Sequence, residues 1–201
     1  MNISSLGTLG PARAASSNLN GLAQGLRDAV VEVRSGETAS GTGIIWGGAG
    51  LVVTNAHCIR RGANVQVIAG GKWREAHALA YHPHHDLALL AAPSVTGPLL
   101  ELRDPESLRP GELVFAHGHP LGVKDSLAMG VLHAVTLDKS GSARWIVADV
   151  RLAPGNSGGP LVDAEGRLVG INSMVVNGLG VAVPASLVQR FVERSLSQRA
   201  A

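Results

Sequence analysis

Three polar residues in this chain have the types and surroundings to perform acyl transfer. Ser157 lies in Ala153-Pro154-Gly155-Asn156-Ser157-Gly158-Gly159-Pro160-Leu161. A serine nucleophile must stand on a tight turn with backbone N–H groups converging beside its hydroxyl, and flanking glycines permit both the unusual φ/ψ values and the close approach. Such a hydroxyl needs a general base, and an imidazole with an ordinary pKa of about 6.5 suits that task near neutral pH. Of the eight histidines, His57 has the most informative context, following the apolar run Leu51-Val52-Val53-Thr54-Asn55-Ala56 into a turn. A base of this kind needs a carboxylate to fix its tautomer. Asp86 offers one, just before Leu87-Ala88-Leu89-Leu90. Read singly, each residue also has a plain reading: a glycine-rich turn, a polar loop histidine, and an acidic turn residue.

These side chains need rigid elements to hold them, and the chain supplies mostly strands. Strand signals fall at Val30–Val33, Ser40–Trp46, Leu51–Thr54, Asn64–Ala69, Trp73–Tyr81 and Leu87–Leu90. They resume at Leu113–Ala116, Met129–Thr136, Trp145–Ala148, Leu161–Val162, Leu168–Ile171 and Gly180–Val183. Two halves of about six short strands each are the pattern of barrels or sandwiches. Between them, residues 92–111 bear Pro and Gly and break the rhythm. The expected organisation is a loose segment over 1–20, a first β-unit over 21–95, a linker over 96–111, a second β-unit over 112–183, and a helix and tail over 184–201. Leu187, Val188, Phe191, Val192 and Leu196 share one helical face, with Pro184 as a start signal and Ser186 as the expected cap.

Composition narrows the function. The chain has 201 residues, 45% of them apolar but only six aromatic, so its core must be built from Val, Leu, Ile and Ala. The 26 glycines and 10 prolines favour frequent turns over long helices. A net charge of +2 without a Lys/Arg run beyond Arg60-Arg61 gives no nucleic-acid footprint, and no window is apolar enough to span a bilayer. Cys58 is the single cysteine, which excludes an intrachain disulfide. Residues 1–20 lack a basic region followed by an apolar one, so they do not read as a signal peptide. A cytoplasmic location is the corresponding expectation, with export left open for a longer precursor. His82, His84 and His85, and likewise His117 and His119, read as solvated loop residues, and no Cys/His spacing suggests a structural zinc site. Neither a metal nor a cofactor is expected.

Thr54-Asn55-Ala56-His57-Cys58, Asp86-Leu87-Ala88-Leu89-Leu90 and Gly155-Asn156-Ser157-Gly158-Gly159-Pro160-Leu161 together resemble the three signature blocks of the chymotrypsin-like (trypsin-like) serine peptidases. Their order, His then Asp then Ser, is the chymotrypsin order. Other segments resemble the HtrA/DegP branch: Ser40–Ile45, His117–Gly122, Met129–Leu132, Gly170–Ser173 and Gly180–Pro184. The resemblance runs from about Asp28 to Val192. It implies an all-β fold of two six-stranded antiparallel barrels with a C-terminal helix and a site between the barrels. It also implies a serine endopeptidase working on polypeptides through an acyl-enzyme. Carried over by position, Ser157 is the nucleophile, His57 the base and acid, and Asp86 the orienting carboxylate. Gly155 and Ser157 supply the oxyanion-hole N–H groups, and Leu152, Ala153, Met174, Val175 and Ala182 line the substrate pocket. Arg151 would favour acidic side chains if it pointed into the pocket, but a rim or outward position is the expectation.

The departures are informative too. Asn156 replaces the aspartate that digestive relatives pair with a new N-terminus, which implies activity without zymogen cleavage. The usual disulfide partner near Gly41 is missing, so Cys58 is expected as a free, buried thiol. No counterpart of the branch's PDZ domain, or of its trimer contacts, is recognisable, and the oligomeric state stays open. The alternatives are a catalytically silent peptide-binding protein on the same fold, and an esterase or other acyl hydrolase.

Overall fold

Short apolar runs separated by glycine turns produce twelve strands in the computed structural model, which describes residues 11–37, 39–48, 50–119 and 125–200. The first six are β1 (Val30–Ser35), β2 (Ala39–Trp46), β3 (Leu51–Thr54), β4 (Val65–Ala69), β5 (Lys72–His82) and β6 (Leu87–Ala91). They close into an antiparallel barrel in the order β1-β2-β3-β6-β5-β4. The second six are β7 (Leu113–Gly118), β8 (Ser126–Leu137), β9 (Ala143–Asp149), β10 (Pro160–Val162), β11 (Leu168–Val176) and β12 (Leu179–Pro184), closed as β10-β11-β12-β9-β8-β7. Closure pairs every strand on both sides and leaves no free edge. Period-two alternation sets the register: in β1, Val31 and Val33 are fully buried while Glu32 and Arg34 form an outward ion pair at 2.8 Å.

Each barrel has its own interior, and a third apolar cluster joins them. That seam brings Ile44, Val53, Leu87 and Leu89 of the first barrel against Phe115, Val162, Leu168 and Ile171 of the second. Two helices cover it. In α1 (Pro11–Ala29), Leu26 is buried in the seam. Residues 11–20, expected to be loose, thus form the first half of a helix, while residues 1–10 lie outside the described residues. In α2 (Ala185–Ala200), Val188, Phe191 and Val192 pack into the same seam. Ser186 is not its cap. The helix begins one residue earlier, directly from β12, and the buried Ser186 hydroxyl has no hydrogen-bond partner. Among the described residues no helix is long and apolar enough to cross a membrane.

The stretch read as a linker is fastened down. Leu168 of β11 donates to Glu101 O at 2.7 Å and accepts from Arg103 N at 3.0 Å. Arg103 then reaches Glu112 at 2.7 Å and Asp163 at 3.2 Å, and Asp163 also pairs with Arg167 at 2.7 Å. Asp163 is 1% exposed. Burial alone would raise its pKa, but the hydrogen bonds from Arg167 and Arg103 outweigh it and hold the carboxyl below the ordinary range.

Candidate active site

β3 and β6 are paired neighbours, with Thr54 opposite Ala88, so their ends bring His57 and Asp86 together across 29 residues. Beyond β3, Asn55 Nδ2 and Ala56 N both donate to Asp86 O, at 2.9 and 3.1 Å. His57 follows in a single 3-10 turn (Ala56–Cys58). Asp86 closes another 3-10 turn (Pro83–His85) with φ of 54°, a left-handed conformation that short polar side chains tolerate best. Its backbone is therefore held from β3 and from its own turn before the carboxylate makes any contact.

The carboxylate is well supplied with donors. His57 Nδ1 lies 2.8 Å from Oδ2 and 3.0 Å from Oδ1, His57 N donates to Oδ1 at 3.1 Å, and Ser173 Oγ donates to Oδ2 at 2.6 Å. An ionised carboxylate only accepts, so Nδ1 carries the proton and Nε2 keeps its lone pair when the ring is neutral. Burial pushes the Asp86 pKa up, yet the hydrogen bonds from His57 and Ser173 prevail and it sits below the ordinary carboxylate range. The hydrogen bond to Asp86, with Cys58 contributing next, raises the pKa of His57 above its ordinary 6.5.

Ser157 comes from the second barrel on a loop whose backbone is almost fully engaged. Asn156 N donates to Ala153 O at 3.0 Å, Gly158 N to Asn172 O at 2.9 Å, and Gly159 N to Asn156 O at 3.0 Å. Among the described residues, the N–H groups of Gly155 and Ser157 donate to no protein acceptor. The Ala153–Asn156 turn has proline second and glycine third, with φ of 106° at Gly155, as a type II turn requires. Strand β2 of the opposite barrel clasps the loop. Thr42 N donates to Ser157 O at 2.8 Å and Thr42 Oγ1 to Gly155 O at 2.7 Å. Gly158 has φ of 83°, and a Cβ there would collide with Thr42 O and Thr54 Oγ1. In this arrangement the Ser157 hydroxyl donates to Ser173 O at 3.2 Å and not to His57.

His57 and Ser157 face one cavity of about 440 Å³, which Leu152, Ala153, Met174 and Val175 also line. Ala182, expected among them, does not. It is 1% exposed and packs inside the second barrel, because alternation along β12 turns it inward while Val183 faces the seam. Arg151 is exposed and takes no part in the lining. Cys58 is a buried free thiol 3.7 Å from Ser157 O, beside Gly41. His117 is not a loop residue: it is fully buried on β7, and among the described residues neither ring nitrogen has a hydrogen-bond partner. Residues 120–122 of the segment His117–Gly122 lie outside the described residues. Among the described residues, no group of three or more His, Cys, Asp or Glu side chains is placed to hold a metal.

Three contributors escaped the sequence reading: Ser173 on Asp86, Asn55 beneath it, and Thr42 on the nucleophile loop. Asn55 lies within the histidine block, and Thr42 and Ser173 lie within the resembling segments Ser40–Ile45 and Gly170–Ser173, but nothing in those segments singled out these residues. Ser173 and Thr42 act across 87 and 113 residues, and no spacing in the chain announces those contacts.

A family model described as the trypsin-like peptidase domain matches residues 41–171. The "Putative serine protease HhoB" of Synechocystis sp. is 32% identical over 169 residues, covering 78% of this chain and 40% of the relative. A "Probable periplasmic serine endoprotease DegP-like" of Chlamydia pneumoniae is 29% identical over 171 residues, 80% of this chain and 35% of the relative. This chain therefore spans well under half the length of those curated relatives. Among solved structures, "HtrA-type protease AlgW with decapeptide" superposes with a TM-score of 0.79 at 25% identity, covering 89% of this chain and 67% of that one.

Proposed function

Since the chain belongs to the trypsin-like serine peptidases and resembles their HtrA/DegP members, we propose that it is a serine endopeptidase with Ser157 as nucleophile, His57 as base and acid, and Asp86 as orienting carboxylate. One observation carries this reading above the others. On the loop that carries Ser157, the N–H groups of Asn156, Gly158 and Gly159 are engaged while, among the described residues, those of Gly155 and Ser157 meet no protein acceptor, beside a hydroxyl that shares its cavity with His57. Two such donors are what a tetrahedral oxyanion needs, and each is worth about 3 kcal/mol of barrier.

The reaction then follows from the atoms. Rotation of the Ser157 side chain exchanges its bond to Ser173 O for one to His57 Nε2. Such contacts are often incomplete before substrate binds. Ser157 Oγ attacks the peptide carbonyl carbon while Nε2 takes the hydroxyl proton. The oxyanion accepts from Gly155 N and Ser157 N. Collapse expels the amine, which takes the proton from Nε2 and leaves an acyl ester on Ser157. Water, deprotonated by the same nitrogen, attacks that ester and releases the carboxylic acid and the free serine. Asp86 keeps the Nδ1 tautomer throughout and stabilises the imidazolium.

The turn at Gly155 and its free donors support competence without zymogen cleavage, in keeping with Asn156 at the position before the serine. Leu152, Ala153, Met174 and Val175 bring no charge to the cavity, which supports small or medium apolar side chains before the scissile bond. The name of the Chlamydia relative favours an exported setting over the cytoplasmic one that residues 1–20 suggest.

A fluorophosphonate probe tests the assignment. Labelling of Ser157, abolished in Ser157→Ala, together with cleavage of unfolded polypeptide, is the expected result. A folded protein that stays unlabelled would overturn it. Cleavage of small esters with no cleavage of polypeptides would favour the acyl hydrolase alternative.

A further inference from the structure

A second cavity, of about 550 Å³, lies behind the turn that carries Asp86 and has none of its lining residues in common with the cavity at Ser157. Arg190 and Arg194, one turn apart on α2, form one wall. His82 and His85 form another, and the β8–β9 hairpin contributes Asp138 and Ser140.

The charges in this lining are unbalanced. Among the described residues, Arg190 and Arg194 make no hydrogen bond or ion pair. Asp138 is the one carboxylate in this lining; its Oδ1 accepts from Ser140 N, Ser140 Oγ and Ser142 N at 2.7, 2.6 and 3.1 Å, and it attracts Arg190 without forming an ion pair, so the two guanidinium groups outnumber it. The two imidazoles stack 4.2 Å apart and nearly parallel, with His82 Nδ1 accepting from His85 N at 3.2 Å. The His85 ring is held below its ordinary range by burial first, and then by His82, His84, Arg144 and Arg190, every one a cation or a potential one. Cationic groups thus outnumber the one carboxylate around this hollow, with both arginines exposed to solvent.

We propose that this cavity binds an oxyanion, a carboxylate or phosphate group, between the guanidinium groups of Arg190 and Arg194 and the His82–His85 stack. A planar guanidinium matches the paired oxygens of either group. The cavity exceeds the volume of the bare anion, so the group belongs to a larger molecule. Occupancy bears on the first site through one covalent step: His85 directly precedes Asp86 and belongs to the 3-10 turn that Asp86 closes. A ligand on His85 stiffens the support of the orienting carboxylate. The inference does not depend on the peptidase reading, because it rests on a separate set of residues.

Titration of the isotopically labelled full chain tests it, at constant ionic strength so that general screening does not change. Inorganic phosphate is used in one arm and acetate in the other, and the ring C–H resonances of the histidines are followed against pH. The expected result is saturable movement of His82 and His85, with the His85 titration displaced upward by about one pH unit as the anion offsets its cationic neighbours. His77 and His133 should not move. Saturation by phosphate alone, or by acetate alone, identifies the group recognised. Arg190→Gln/Arg194→Gln should weaken the response at least about tenfold, and Arg194→Gln alone by a smaller factor. Linear, non-saturating shifts, equal movement of all histidines, or an unchanged response in the folded Arg194→Gln variant would each overturn the proposal.

Discussion

Burial of His117 makes the fold sensitive to acid, and the size of the effect follows from its surroundings. The ring is fully buried and, among the described residues, has no hydrogen-bond partner. Burial first, then the nearby His119 and Arg27 charges, push its pKa down from 6.5 to about 4, with Asp125 opposing. The unfolded chain therefore binds a proton near pH 6.5 that the folded chain refuses until about pH 4. Stability is full above pH 6.5 and falls as the pH drops through that window. At about 1.4 kcal/mol per pH unit the loss totals about 3 kcal/mol, some 2.5 kcal/mol of it by pH 4.5. That is a large share of the roughly 5–15 kcal/mol that holds a domain together. His117→Leu keeps the volume and removes the titration. Urea unfolding of both proteins at pH 7.5, 6.0, 5.0 and 4.5 should show the variant gaining on the parent by about 2.5 kcal/mol over the series. A stability difference that does not change with pH would refute the reasoning, because the buried ring would then not be the group that refuses the proton.

Other outcomes follow from the same geometry. Asp86→Asn should lower the turnover of unfolded casein by about 10⁴-fold, since the amide favours the wrong tautomer of His57. Because Asp86 raises the His57 pKa and only the neutral ring accepts a proton, activity should fall with decreasing pH through a midpoint above 6.5, and in Asp86→Asn that midpoint should move down. Ser173→Ala removes a 2.6 Å donor from Asp86 and should cost about tenfold in turnover with little change in the urea midpoint. Asp163→Ala removes the buried carboxylate shared by Arg103 and Arg167, which keep Glu112 and Glu165, and should cost about 1.5–3 kcal/mol in urea unfolding, measurable without any substrate.

All twelve strands were legible because apolar alternation and glycine turns are local signals; six strands per half left barrels or sandwiches open, and it was the family resemblance that implied a pair of barrels. α2 was legible for the same reason, with Val188, Phe191 and Val192 on one stripe. Residues 11–20 were not, since Ser, Asn and Ala resemble a loose tail when nothing local shows that the same helix ends in the seam with Leu26. At the site, His57, Asp86 and Ser157 stood out through their flanking blocks, whereas Ser173 and Thr42 are contacts between distant strands. His117 was misread because Gly118 and His119 suggest a loop. The strand period places His117 on the same face as Phe115, which packs into the seam. Ala182 failed for the complementary reason: β12 is buried on both faces, so its sequence carries no mark of which side meets the cavity.

On the proposed mechanism, the clasp of Thr42 on Gly155 and Ser157 makes hydrolytic competence a property of the mated halves. During synthesis the first barrel emerges with a base and no nucleophile. The second completes itself with a nucleophile whose loop lacks its strap. On that reading neither fragment would cut, and a nick or slip that parts the barrels would withdraw Thr42 and the proposed base from Ser157 together. The same contacts that hold Gly155 and Ser157 would thus serve as an interlock, by which a damaged or half-made molecule disarms itself before it can degrade its neighbours.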